Sequence, residues 1–320
     1  MNLQTNIPFL KQPHHQIDYD SNILLLGSCF SEHIGEKFKY FKFKSTVNPF
    51  GIVFHPLAIE TLITNAINER KYSDEDLFQL NDQWYCFDTH SRLSSSSKES
   101  LLHNLNATIN STAQQLRNST HIIITLGTAW VYRHIETDVI VANCHKVPQK
   151  KFLKELLSVE QIAQSLDAIV TLLRNINTKA NFIFTVSPVR HLKDGFVENT
   201  QSKAHLISGI HQTIKENSSL SENEVYFPAY EIMMDELRDY RFYTEDMIHP
   251  NITAINYIWH KFKTQWISKT TEDIMEDVEA IQKSLAHKPF NLTSDKHQKF
   301  LQNLKQKQEA LQKRVPQIQF

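Results

Sequence analysis

The chain has 320 residues, 41% hydrophobic and 22% charged, which suits a globular protein with one large core and appendages. Its formal net charge of −1 gives no electrostatic footprint for nucleic acid and no polybasic patch for an anionic membrane. Three cysteines, Cys29, Cys86 and Cys144, make no disulfide framework, and no apolar run approaches the roughly 18 residues of a membrane span. The opening residues also lack the basic-then-apolar pattern of a secretory signal, so a cytoplasmic setting is expected.

An N-terminal segment, residues 1–22, precedes a bare aliphatic run, Ile23–Leu26, that reads as a buried strand and breaks off into Gly27-Ser28-Cys29-Phe30-Ser31. A helical stretch at Glu32–Tyr40 and a weaker strand candidate at Phe41–Val47 follow. Helical patterns at Pro56–Arg70 and Lys98–Arg117 flank an irregular excursion, Tyr72–Ser97. The next strand, His121–Leu126, ends at Gly127-Thr128, and Trp130–Val147 alternates like a short hairpin returning through Asn143-Cys144-His145-Lys146. Helix Ser158–Asn175, strand Asn181–Val186, helix Gln201–Asn217 and strand Glu224–Phe227 continue the alternation, and helix Ile252–Ser268 closes a main domain over 23–268. An extension over 269–320 holds two charged helices, Thr271–Ala286 and Asp295–Arg314. Strand–helix alternation predicts a parallel sheet covered on both faces, with ligands bound outside the carboxyl ends of its strands. Gly27-Ser28, Gly127-Thr128 and Ser187-Pro188 all fall at such ends.

Two short segments carry the chemistry. Ser28 and Cys29 enter a helix from a strand, where unpaired N–H groups and the helix dipole favour an anion, so a thiol there is expected to ionise more easily. The plainer reading makes Ser28 a helix cap and Cys29 a small buried hydrophobe. Far along the chain, Asp246 and His249 stand three residues apart before Pro250, a favoured first helical residue. That spacing lets the carboxylate fix the tautomer of the imidazole; the plainer reading is a capping aspartate beside an incidental histidine. Together the segments supply a nucleophile, a base and an orienting acid, the parts of an acyl-transfer relay. Arg190 and His191 follow a strand end and suit an anionic substrate group; the plainer reading of Arg190 is a salt bridge to a nearby acid. Cys144 and His145 with Cys29 and His249 raise the thought of a metal, but no paired ligand spacing supports one. Trp84, Trp130 and Tyr132 are candidates for pocket walls or for ordinary core.

The chain resembles the GSCFA family of bacterial proteins, whose motif appears as Gly27-Ser28-Cys29-Phe30-Ser31, with serine in place of the final alanine. Asn48-Pro49-Phe50-Gly51, Asn143-Cys144-His145-Lys146, Ser187-Pro188-Val189-Arg190-His191 and Asp246-Met247-Ile248-His249-Pro250 extend the likeness over most of the chain. That family is similar in turn to the SGNH (GDSL-like) hydrolases. The resemblance implies a three-layer α/β/α sandwich with a five-stranded parallel, flavodoxin-like sheet, carrying insertions and a C-terminal helical extension. It implies a nucleophile at Cys29, with Ser28 the alternative, a His249 base oriented by Asp246, and an oxyanion hole using Gly51. A block-III asparagine is missing after Gly127, so Thr128 or the Asn143 and His145 segment must replace its donor. Asn48, Asn143, His145, Arg190 and His191 are the candidate substrate-binding residues. The function so implied is hydrolysis or transfer of an ester, thioester or acetyl group, on a small-molecule or glycan ester and without a cofactor, metal, nucleic-acid or membrane partner. The competing reading is a non-catalytic small-molecule or glycan-binding protein on the same scaffold; the oligomeric state stays open.

Overall fold

A computed structural model describes residues 5–217 and 224–320. Five strands form one sheet: β1 (Asn22–Gly27), β2 (Lys44–Val47), β3 (His121–Leu126), β4 (Asn181–Val186) and β5 (Glu224–Phe227). They lie in the order β5-β4-β3-β1-β2 with every neighbouring pair parallel. This is the flavodoxin-like doubly wound order, whose switch point lies between β1 and β3.

The three central strands, β1, β3 and β4, are buried almost throughout because helices cover both faces. Alternate residues separate into two cores, as the period of two requires. Ile23, Leu25, Ile123 and Ile183 face one way, toward helices α1 (Cys29–Tyr40) and α6 (Ile252–Trp266). There Phe38 meets Trp259 edge to face, with ring centroids 5.1 Å apart. Leu24, Leu26, Ile122, Ile124, Phe182 and Phe184 face the other way. Helices α2 (Pro56–Ile67), α3 (Lys98–Asn118), α4 (Val159–Ile176) and α5 (Phe196–Asn217) cover that side.

The extension helices α7 (Glu272–Ala286) and α8 (Asp295–Arg314) press Met275, Val278, Ile281, Leu304 and Leu311 into the α1/α6 core. The N-terminal segment joins the same layer through Ile17, whose N–H donates to Trp266 O at 2.8 Å. Among the described residues no helix is long and apolar enough to cross a membrane.

Several sequence expectations shift. The excursion at 72–97 contains an antiparallel hairpin, Leu77–Leu80 with Gln83–Cys86. The hairpin after β3, Trp130–His134 with Val139–Val141, gains a third strand, Phe152–Leu156. Helix α5 begins at Phe196, five residues before the expected Gln201, because the loop after β4 turns at Gly195 directly into it.

Gly27 ends β1 at φ +132°, and a Cβ there would lie 2.1 Å from Thr125 O on β3. Gly27→Ala must therefore force β1 and β3 apart. It is expected to cost about 3 kcal/mol, read as a lowered urea midpoint of tryptophan fluorescence; a wild-type midpoint would contradict this packing.

Candidate functional site

The parallel register puts three chain exits in one row. Gly27 stands opposite Thr125, and Leu126 stands opposite Val186, so Cys29, Gly127 and Ser187 leave the sheet side by side. The exit of β1 is pinned from β2. Asn48, in the left-handed region at φ 42°, donates its own N–H to Leu25 O and accepts the Gly27 N–H on Oδ1, both at 2.9 Å. Asn48 is thus a buried brace of the strand end. The Gly51 amide, expected to face an oxyanion, donates to Asn48 O at 2.8 Å and is spent inside that turn.

Ser28 is the N-cap of α1: it is buried, and its hydroxyl accepts the Phe30 N–H at 3.2 Å. Cys29, the next residue, is half-buried, so its side chain is the better placed of the two to meet a substrate. The expectation of an easily ionised thiol is corrected. Burial and then the Glu32 carboxylate push the Cys29 thiol above its ordinary value, against Lys203 and the amides of Cys29 and Phe30, which pull it down. Desolvation of the anion outweighs the helix end.

Asp246 and His249 do form a pair. His249 Nδ1 lies 2.7 Å from Asp246 Oδ2, while Asp246 Oδ1 accepts from the Thr244 hydroxyl and from the amides of Ile248 and His249 at 2.7–3.0 Å. These donors, with Thr244 foremost, hold the Asp246 carboxyl well below the usual carboxylate range. The pair sits on an exposed turn, and among the described residues Nε2 of the imidazole has no hydrogen-bond partner. Pro250 is not the first helical residue. It bridges to Tyr243, and Asn251 caps α6 by accepting the Ala254 N–H at 3.1 Å.

The remaining candidates divide. His191 follows β4, and its Nε2 would lie 3.1 Å from a Cβ on Gly127, so the ring stands against the row of strand ends. Its Nε2 is buried and has no hydrogen-bond partner among the described residues. Burial, then Lys203 and His249, drive its pKa down to about 3. Arg190 stacks on Tyr243, with its guanidinium 4.5 Å from the ring centroid, and its N–H donates to Ile248 O. It therefore braces the turn that carries His249. The Thr128 hydroxyl is engaged with Ser202 and the Trp130 amide. Asn143 accepts the His145 amide, and the His145 ring is locked between Cys86 O at 2.8 Å and Ser91 Oγ at 3.0 Å. Thr128, Asn143, His145 and His191 nevertheless line one cavity of about 300 Å³ with Trp130 and Tyr132. Trp84 lies elsewhere, under Lys98. Among the described residues no group of three or more His, Cys, Asp or Glu side chains is arranged to hold a metal ion.

Lys203 escapes the sequence reading. It is fully buried on α5, and its ammonium donates to Gly127 O at 2.6 Å and Ser187 O at 2.8 Å. Asn199 and Ser202, beside it on the helix, hold the His191 and Ala129 amides at 2.9 and 2.7 Å. The signal lay in the periodicity: 199, 202 and 203 share a stripe with the core residues Leu206 and Ile210, so polar residues occupy inward positions.

The sheet order defines a doubly wound α/β protein, and the candidate residues cluster at the carboxyl ends of its strands. The chain belongs to the GSCFA family, which it matches over residues 22–262, and residues 278–320 match the GSCFA domain protein C-terminal domain. None of the curated proteins compared with the chain matches it.

Burial holds the folded-state pKa of His55 and His145 down at about 4. Unfolded imidazoles take up protons at about 6.5, so these neutral rings stabilise the fold fully above that pH and lose the contribution as pH falls toward about 4. The urea midpoint is expected to drop between pH 7 and pH 5, with a shallower drop in His145→Gln. Parallel pH dependences in the two proteins would remove His145 from this account.

Proposed function

We propose that this GSCFA protein is an SGNH-like acyl hydrolase or acyltransferase that works through Cys29, His249 and Asp246. The observation supporting this most directly is the His249–Asp246 pair at 2.7 Å, with the carboxylate fixed by three further donors and Nε2 without a hydrogen-bond partner among the described residues. Asp246 also holds the amides of its own turn, but its second carboxylate oxygen is directed to the imidazole, which holds the ring in one tautomer as a base requires.

In this reading Cys29 Sγ attacks the acyl carbon and its proton passes to His249 Nε2. A carbon–sulfur bond forms, and the oxyanion lies against the Cys29 amide, one of the donors a helix N-terminus leaves without an internal partner. Collapse expels the alcohol, which takes the proton from His249 as the carbon–oxygen bond breaks. Water, or an acceptor hydroxyl, then gives its proton to His249 and attacks the thioester, releasing the Cys29 thiolate. The cavity beside His191, walled by Trp130 and Tyr132, suits the alcohol or sugar portion of an ester.

A purified sample is expected to hydrolyse a small activated ester, and Cys29→Ala and His249→Ala should each lower kcat/KM by about 10²–10⁴-fold. Asp246→Asn should lower it less than His249→Ala. Full turnover in both the Cys29 and His249 variants would sink the proposal. A non-catalytic binding protein is favoured by one observation, the commitment of the Gly51 amide and the Thr128 hydroxyl within the fold. Thermal stabilisation by an ester that is never turned over would select that reading.

A further inference from the structure

Lys203 is a buried lysine that no carboxylate answers among the described residues. Burial is its dominant influence and brings its pKa down to about 7, and the group that opposes this is the Cys29 thiolate. An ionised group withdrawn from water costs several kcal/mol, so a buried lysine is kept only where its ammonium meets fixed dipoles or an anion. Two dipoles are present. The carbonyls of Gly127 and Ser187, at the exits of β3 and β4, receive two of its three N–H donors. Cys29 leaves the sheet in the same row, on the other side of Gly127, as the β1–β3 register fixes.

We propose that Lys203 is the cation of the strand-end row, a positioning residue whose ammonium, while protonated, supports the thiolate of Cys29 and the anion that replaces it during reaction. Its place in catalysis rests on Cys29 being the nucleophile; the electrostatic pairing itself does not. The charge is held by the fold, since a shift of Nζ would break bonds to two strand ends at once. It therefore acts on Cys29 without reorganising as charge develops.

The other groups facing the pair do not substitute for it. Glu32 on α1 opposes the thiolate, though Arg92 engages its carboxylate at 2.9 Å. His191, on the loop after β4, is held neutral by burial, with Lys203 and His249 adding to that effect. Tyr230, beyond β5, offers the ammonium only its ring face, 5.8 Å from Nζ. Cys29 and Lys203 each favour the charged form of the other, against the burial that opposes both charges.

The experiment needs no substrate. The full-length protein is alkylated with iodoacetamide across pH 6 to 10, and peptide mass spectrometry separates Cys29 from Cys86 and Cys144. Lys203→Met is expected to move the Cys29 midpoint upward and to slow its alkylation at pH 7 by about tenfold, with native circular dichroism retained. His249→Ala should move that midpoint less. An unchanged midpoint in a folded Lys203→Met overturns the proposal, and a midpoint governed by His249 alone overturns it while leaving the His249 relay standing. The reciprocal measurement covers a Lys203 variant that does not fold. By linkage, Cys29→Ala should lower the midpoint of the Lys203 ammonium, followed by NMR of carbon-13-labelled lysine. Identical lysine titrations in wild type and Cys29→Ala would equally end the inference.

Discussion

Hydrogen bonding between β1, β3 and β4 in parallel register is the constraint on which the site depends. Thr125 stands opposite both Gly27 and Thr185, so the three chains leave the sheet at one level. A slip of one residue would turn every side chain of a strand to the other face. It would also carry Cys29 out of line with Gly127 and Ser187. Burial on both faces makes such a slip costly, since Leu24 and Leu25 serve different cores. The register is also locked locally: Gly27 brings its backbone so close to Thr125 that no side chain fits, and Asn48 holds its amide from the opposite flank.

The second organising element is the first part of α5. Asn199, Ser202 and Lys203 lie on its inward stripe, where the same helix later places Leu206 and Ile210. Each polar side chain answers a backbone group of the loops after β3 or β4. Loops that must be irregular to hold a site cannot satisfy their own amides and carbonyls, and buried unsatisfied groups are expensive. The helix supplies the missing partners, and in doing so introduces a positive charge into the row.

The electrostatics of the site are a contest. A helix N-terminus favours the Cys29 anion, but removal of the thiol from water outweighs that help, and Glu32 adds to the opposition. Sequence position alone therefore misjudges the thiol. In the proposed reading, a thiol so placed needs a base or a cation brought from elsewhere in the chain. His249 is fixed by Asp246, and Lys203 by two strand ends.

Much of the architecture was legible in the residues. Short apolar runs such as Ile23–Leu26, alternating with helical periods, point to parallel strands covered on both faces, and the family resemblance supplied the five-stranded order. The Asp246–His249 pair was legible too, because a spacing of three within a turn is a local matter. What lay beyond the sequence depended on contacts between distant segments. Ser28 and Cys29 are neighbours, yet only the packing around α1 buries one as a cap and leaves the other partly open. The Gly51 amide and His145 ring looked available until the folded turn and Cys86 O claimed them. Lys203 reads as one more surface lysine until α5 docks on the ends of β3 and β4. Local geometry is written in nearest neighbours, whereas burial and charge pairing are sums over the whole fold, and those sums decided the chemistry of this site.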